Sequence, residues 1–438
     1  MSLIRKAERY FEFEALGTNW RTEILAGVTT FLTMSYIVFV NPAILRDAGM
    51  PVTGVGVATC VAAALGSLMM GLVARYPIAL APGMGINAYF TYTVVLGMDV
   101  PWQTALGAVF LSGLIFLVLT AAGVQQAIVR SIPASLHAAV AAGIGLFLAL
   151  IGMQNAGIVV SHEVTMVSLG DLTRGSTALA LFGLLLISAL TAWRVKAAMV
   201  LGILGTTVMA IPLGLVEWNP SSYAWADLSA TAFELDIGGA ISLGLLEIVF
   251  VFWFVDLFDN VGTLVAVGKK ARLFKSETRI PRLGRILMTD GVASTVGSAL
   301  GTSTVVSYIE SAAGVAAGGR SGVTAVVVGL LFLLALVVTP VIGILPKAAT
   351  APALIVVGSL MLSSVRDIDW DDVTVSIPAF LTLTTIPLSY SIASGLAIGF
   401  ISYTVLKVLS GEYRRIGWLV YVLTALFVLR FIYLGSTG

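Results

Sequence analysis

A chain of 438 residues that is 58% hydrophobic and 11% charged, with a mean hydropathy of +1.01, has more apolar surface than a water-soluble fold can hide. It is a polytopic membrane protein by composition, and its net charge of +1 gives no electrostatic reason to expect nucleic acid as a partner. The single Cys60 excludes an intrachain disulfide and a cysteine metal cluster, and it reads as a small apolar filler.

The first twenty residues, MSLIRKAERYFEFEALGTNW, are charged and mixed and lack the apolar run of a cleavable signal peptide, so residues 1–20 are expected as a cytoplasmic N-terminal segment. Apolar segments then recur at crossing length. The predicted spans are 21–41, 54–74, 78–97, 103–123, 134–154, 176–193, 197–216, 240–268, 285–300, 302–318, 321–344, 350–364, 373–389 and 391–410, fourteen in all. They fall into a first set of seven (21–216), an external loop (217–239) and a second set of seven (240–411). Within 412–438, the apolar stretch 416–434 suits a crossing or an interfacial segment equally, since Arg430 near its end tolerates either.

Loop charge tests this topology, because lysine and arginine concentrate on the cytoplasmic side. With the N-terminus inside, the inner loops hold thirteen bases: Arg75, Arg130, Arg194, Lys196, Arg320, Arg366 and the seven of KKARLFKSETRIPRLGR. The outer loops hold three, Arg46, Arg174 and Lys347. The expected fold is therefore an all-α membrane protein with fourteen crossings up to Gly411.

Two spans are poor helices. Span three, YPIALAPGMGINAYFTYTVVLG, is interrupted by Pro82, Gly83 and Gly85, and span ten, GTSTVVSYIESAAGVAAGG, by Gly301 and an extended TSTVV. Each is third in its set of seven. Broken spans at corresponding places point to a transporter built from two inverted repeats, with its site where the broken helices meet. The extended piece needs backbone partners in lipid, and span three offers one after APGMG. Ser307 to Glu310 has the S-x-x-E form of a capping box ahead of a half-helix running to Gly319.

Five acids lie clearly inside apolar spans, away from their ends: Glu247, Asp256, Asp259, Asp290 and Glu310, with no lysine or arginine in the interior of the same spans to pair with them. Carboxylates in that setting are costly and mark polar cavities or proton pathways. The spacing of three between Asp256 and Asp259 sets both on roughly one face of span eight, with Thr263 a turn further on. Glu247 and Asp290 read as structural hydrogen-bonding groups. His137 and His162 fall near helix ends and read as surface or interfacial residues.

FVDLFDNVGTL, APGMGINAYFTYTVVLG, YIESAAGVAAGGRSGVTAVVVGLLF and TFLTMSYIVFVNPAIL resemble the azaguanine-type purine permeases, a branch of the nucleobase-cation symporter-2 superfamily, nearly end to end. The resemblance implies two inverted seven-helix repeats, a core and a gate domain, short antiparallel strands in spans three and ten, and proton-driven uptake of hypoxanthine, guanine or adenine across a bacterial cytoplasmic membrane. It places Asp259 and Glu310 as the carboxylates that bind the base, with the backbone around Ile309, Asn87 and Ala88 at the ring edge. Thr263 falls where related carriers have a polar residue, Thr30 where many have histidine, and Phe258 is placed to stack on the ring. Asp259, Glu310 and Asp256 are the proton-coupling candidates; no metal, cofactor or catalytic residue is implied, and a homodimer stays open.

Other classes are weighed on the same residues. An anion carrier of similar architecture wants a base at the helix ends lining the site, and span ten has none before Arg320. An intramembrane aspartyl hydrolase wants paired acids, but Asp256 and Asp259 share one helix and no water-delivering histidine or metal cluster accompanies them. A passive channel is separated from a symporter by the dependence of uptake on a pH gradient.

Overall fold

In the computed structural model, which describes residues 3–219, 226–242, 246–271 and 280–435, the chain is mostly helical. Helices α1 (Trp20–Met34) and α2 (Ile37–Asp47) form one run bent at Ser35–Tyr36, and α3 (Val52–Met69) returns. Span three is then broken into strand β1 (Leu80–Pro82), the short α4 (Met84–Ala88) and a wider π-helical piece, Tyr89–Val95. There follow α5 (Trp102–Ala121), α6 (Ala134–Asn155), a hairpin of β2 (Val159–His162) and β3 (Met166–Leu169), α7 (Gly175–Ala192) and α8 (Ala198–Ala210). The second half holds α9 (Leu246–Ala271), α10 (Leu283–Leu300), β4 (Val305–Ser307), α11 (Ser311–Ala316), α12 (Gly322–Ala335), α13 (Lys347–Met361), α14 (Val373–Leu388), α15 (Ile392–Leu409) and α16 (Trp418–Gly435).

Nine helical runs among the described residues are long and apolar enough to cross a bilayer, and three shorter apolar helices, Ala198–Ala210, Val373–Leu388 and Trp418–Ile432, accompany them. The helix α10 is not one of these, because its GRILMTDGVASTVGSAL is rich in small and polar residues; it is packed between α3 and α5. The exposed hairpin β2–β3 has no counterpart in the sequence expectation. The basic positions Arg272, Lys275 and Arg279 lie outside the described residues.

Packing separates the helices into two groups. One holds α1, α2, α3, α5 and α9 to α12; the other holds α6, α7, α8, α13, α14 and α15. Small residues allow the close approaches: a Cβ at Gly71 would stand 2.5 Å from the Gly322 carbonyl oxygen, and one at Gly145 would stand 2.8 Å from that of Gly358. The helix α16 lays Phe427 against Phe250, Phe254 and Phe400, and its Arg430 pairs with Glu247. The base for Glu247 thus comes from the last apolar segment.

Gly301 ends α10 with φ +98°, a conformation open to glycine, and the chain leaves the helix to become extended at Val305. There β4 pairs antiparallel with β1, Leu80 opposite Ser307 and Pro82 opposite Val305. The paired piece of span three thus ends within APGMG, ahead of α4, and does not follow it, because the helix begins at Met84 with Gly83 as its extended cap. Both outer edges are closed by serines: Ser67 of α3 bonds the N–H and carbonyl of Leu80, and Ser294 of α10 those of Val305. Ser307 is a strand residue, and Glu310 makes no side-chain cap bond, so the expected capping box is not formed. The helix α11 is also shorter than expected, since Gly318, at φ +109°, turns the chain away.

Candidate functional site

A cavity of about 610 Å³ lies where β4, α4 and the C-terminal half of α9 face the N-terminal half of α6 and the end of α13. That size is in the range of small-molecule pockets, about 300–1,000 Å³. Among its lining residues are Asp259, Glu310, Ile309, Phe258 and Thr263, five of the residues singled out in the sequence. It reaches the surface near Asp367, which is exposed.

Each of these side chains is placed by a break or a turn of helix. Glu310 follows β4, so the strand carries it to the cavity just before α11 begins, and the Tyr36 hydroxyl donates to its Oε1 at 2.8 Å from the bend between α1 and α2. Tyr308 anchors the same junction by donating its hydroxyl to the Pro82 carbonyl at 2.5 Å, while its N–H donates to the Ala79 carbonyl at 2.9 Å. Asp259 faces the β1–α4 junction, where a Cβ at Gly83 would stand 3.6 Å from its Oδ2. No side chain among the described residues hydrogen-bonds the Asp259 carboxylate. Two carboxylates, one oriented and one unpartnered, therefore face one enclosed space next to the Phe258 ring and the Thr263 hydroxyl.

The other sequence candidates stand behind this wall. Asn87 and Ala88 are fully buried; the Asn87 side chain turns back to Asn41 and accepts from Ser303, so span three meets the cavity one turn earlier, through Met84 and Gly85. Thr30 packs against α11, where a Cβ at Gly314 would stand 2.0 Å from its Oγ1, and it does not line the cavity. Asp256 diverges from Asp259: the Asn260 amide donates to Asp256 Oδ1 at 2.9 Å and to Asp290 Oδ2 at 2.5 Å, joining two buried carboxyls between α9 and α10. The Asn260 side-chain Oδ1 in turn accepts from the Ser307 N–H at 2.7 Å, tying that pair to the back of β4.

Among the charged or titratable residues that the sequence reading did not place inside the fold are His137, Glu23 and Lys407. His137, expected at the surface, lines the cavity with its ring on Phe258. Glu23 is fully buried and accepts from the N–H groups of Arg320 and Ser321 and the Thr324 hydroxyl, holding α1 to the start of α12. Lys407 is buried between Asp372, at 3.0 Å, and Glu412, at 2.6 Å.

At the end remote from Asp367, the two helix groups are tied together. Lys347 at the start of α13 pairs with Asp47 at the end of α2 at 2.7 Å, and the Tyr92 hydroxyl donates to Asp47 at 3.0 Å. The Asn155 amide donates to the Tyr92 hydroxyl at 3.3 Å, the Thr93 hydroxyl to the Tyr390 carbonyl at 2.6 Å, and the Tyr390 hydroxyl to Gln154. The arrangement can hold a small polar ligand against two carboxylates while one end of its path is shut.

The chain matches the Permease family model over residues 21–406. The adenine permease AdeP of Escherichia coli (strain K12) is 44% identical to it, over 98% of this chain and 96% of its own. The guanine/hypoxanthine permease PbuG of Bacillus subtilis (strain 168) is 43% identical, over 97% of this chain and 99% of its own. The solved transmembrane domain of a cyanobacterium bicarbonate transporter, BicA, superposes with a TM-score of 0.64 at 15% identity, covering 87% of this chain and 97% of that one, which is a likeness of fold alone. From the family match and these full-length relatives, the chain belongs to this permease family, within the nucleobase-cation symporter group its motifs resemble, and is a multi-pass transporter and not an enzyme.

Proposed function

We propose that this protein is a proton-coupled importer of purine nucleobases, hypoxanthine or guanine first and adenine next. The observation that carries the reading is the pair Asp259 and Glu310 facing one cavity beside Phe258. Purine bases present N–H donors and carbonyl or ring-nitrogen acceptors in one plane, so the carboxylates accept from the base, and Phe258, on which His137 lies, offers its ring to the base only where His137 moves aside. Ile309 and Thr263 border the same space, and Thr30, Asn87 and Ala88 form the support behind it. Asp259, without a side-chain partner among the described residues, is the first candidate to carry the proton, with Glu310 beside it and Asp256 behind. The named activities of the full-length relatives agree with a nucleobase cargo.

The same reading has fourteen crossings in two inverted repeats, the N-terminus on the cytoplasmic side of a cytoplasmic membrane. Support comes from the matched roles of Ser67 and Ser294, and from the packing groups, each of which draws corresponding spans from both halves. The first group then acts as a core domain and the second as a gate domain. In that orientation the cavity mouth at Asp367 faces the cytoplasm. An anion cargo is disfavoured because the cavity wall carries carboxylates and neither lysine nor arginine among its described residues.

The test is thermal-shift screening of the purified protein against adenine, guanine, hypoxanthine, xanthine and uracil, followed by uptake into vesicles with and without an imposed pH gradient. Stabilisation by purines and gradient-driven accumulation are expected. Failure of every base to stabilise the protein overturns the cargo, and gradient-independent equilibration overturns the coupling.

A further inference from the structure

The cavity wall contains a ring whose polar atoms no described residue satisfies. His137, in the first turns of α6, lays its imidazole on Phe258 with centroids 4.4 Å apart and planes inclined by 36°. Both ring nitrogens are buried without a hydrogen-bond partner among the described residues. A neutral imidazole carries one donor and one acceptor, and burying both unpaired is costly. The Ser307 hydroxyl on the same wall is also unpaired among the described residues, but a hydroxyl can rotate toward a new partner. The His137 ring must turn as well, because its nitrogens are shut from the cavity in this conformation, while Phe258 beneath it is held by Phe254 and Phe400, with centroids at 4.7 and 5.9 Å.

His137 also stands on the other side of the site. Asp259 and Glu310 belong to α9 and the β4–α11 junction, whereas α6 is in the opposing helix group. A flat ligand bonded to the two carboxylates therefore turns its remaining edge toward α6. We propose that His137 is a further ligand contact of this cavity, whose imidazole hydrogen-bonds the edge of the nucleobase turned away from Asp259 and Glu310 and so takes part in choosing the base. The inference rests on the reading of the cavity as a nucleobase site. A base edge carries both donors and acceptors, so it satisfies either tautomer of the ring. A hydrogen bond to the base relieves the cost of the unpaired nitrogens.

Two variants of the full chain test this, His137→Phe, which keeps an aromatic ring on Phe258, and His137→Leu, which keeps only apolar bulk. Melting temperature without ligand, and affinity for hypoxanthine, guanine and adenine, are measured on purified protein. Both variants are expected to melt at the same temperature as the parent or higher, since an unpaired polar group has been removed, yet to lose about tenfold in affinity for at least one base. The ratio of affinities among the three bases should change. Parental affinities for all three bases in either variant overturn the proposal, and so does an equal loss for every base accompanied by a lower melting temperature, the mark of a packing role. If the parent protein itself binds none of the three, the nucleobase reading fails first.

Discussion

Ser67 and Ser294 make the same two hydrogen bonds to strands that pair with each other. The Ser67 hydroxyl donates to the Leu80 carbonyl and accepts the Leu80 N–H, both at 3.0 Å; the Ser294 hydroxyl donates to the Val305 carbonyl at 2.9 Å and accepts the Val305 N–H at 3.1 Å. A two-stranded ribbon leaves its outer backbone groups without partners, and in an apolar surrounding they must find them. One serine per strand does this for Leu80 and Val305, beside Asn260 at the Ser307 N–H and Tyr308 at the Pro82 carbonyl, so the extended pieces that carry Glu310 and shape the Asp259 side of the cavity are held from outside. Ser67→Ala and Ser294→Ala each strand one N–H and one carbonyl and are expected to cost about 2 kcal/mol. Melting curves in detergent check this; parental melting temperatures in both variants would mean the strand edges are satisfied elsewhere.

The Tyr36–Glu310 bond separates orientation from charge. Tyr36→Phe removes the hydroxyl that fixes Oε1 and is expected to weaken nucleobase binding by about fivefold, the worth of one hydrogen bond to a charged or polar partner near 1 kcal/mol. Glu310→Gln should lose both binding and transport, because an amide nitrogen replaces an acceptor. Asp259→Asn should abolish accumulation against a gradient. Binding isotherms and vesicle uptake on the three variants distinguish these outcomes; near-normal accumulation by Asp259→Asn would remove that residue from the proton path.

Much of this arrangement is legible in the sequence because glycine, proline and isolated carboxylates are incompatible with plain apolar helices. Pro82, Gly83, Gly301 and TSTVV mark both breaks, and Asp259 and Glu310 mark the cavity. The registers were harder. A spacing of three residues leaves two side chains about 60° apart around a helix, by the 3.6-residue repeat, which is enough to turn Asp256 toward α10 while Asp259 faces the cavity. Asn87 sits one turn past the residues that meet the cavity, so its motif located the break but not the contact. Glu23 and Lys407 lie near span ends, where hydropathy cannot tell a buried charge from a solvated one. The pairing of Arg430 with Glu247 joins residues 183 positions apart, and no periodicity records it. His137 looked like a helix-end residue because which face of α6 meets α9 is a tertiary fact.

The Lys407 cluster gives a pH prediction away from the transport site. The Thr374 hydroxyl, and after it Lys407, hold the Asp372 carboxyl down to about 2 from a usual value of 3.8. A carboxyl depressed in the folded state contributes its stability above the unfolded value and loses it as pH falls through the folded one. The deficit of Asp372→Ala relative to the parent is therefore expected to be constant from about pH 8 down to about pH 4, and to close between about 4 and 2. Melting temperature against pH for both proteins checks this. A deficit that varies between about pH 5 and 8 would assign the titration to another group.

The tie between Asp47 and Lys347 bears on access. The cavity occupies the N-terminal half of α6 and the C-terminal end of α13, while Asn155 and Lys347 at the opposite ends of those helices join Tyr92 and Asp47. A carrier must open this end in turn, and a half-exposed ion pair worth up to about 1 kcal/mol is weak enough to be broken in each cycle. Lys347→Asp places two like charges there and, in the proposed orientation, should shift the population toward the externally open state by several-fold, since about 1.4 kcal/mol is a factor of ten. The reading is taken with Val140→Cys on the cavity wall as reporter and the buried Cys60 replaced by alanine, by labelling with a membrane-impermeant thiol reagent from outside. Labelling should rise with Lys347→Asp and return to the parental level when Asp47→Lys is added, because the reversed pair restores the attraction. A rise that the second substitution does not reverse would assign the closure to Tyr92, Tyr390 and their partners, and no rise at all would mean that the ion pair is not part of the external closure.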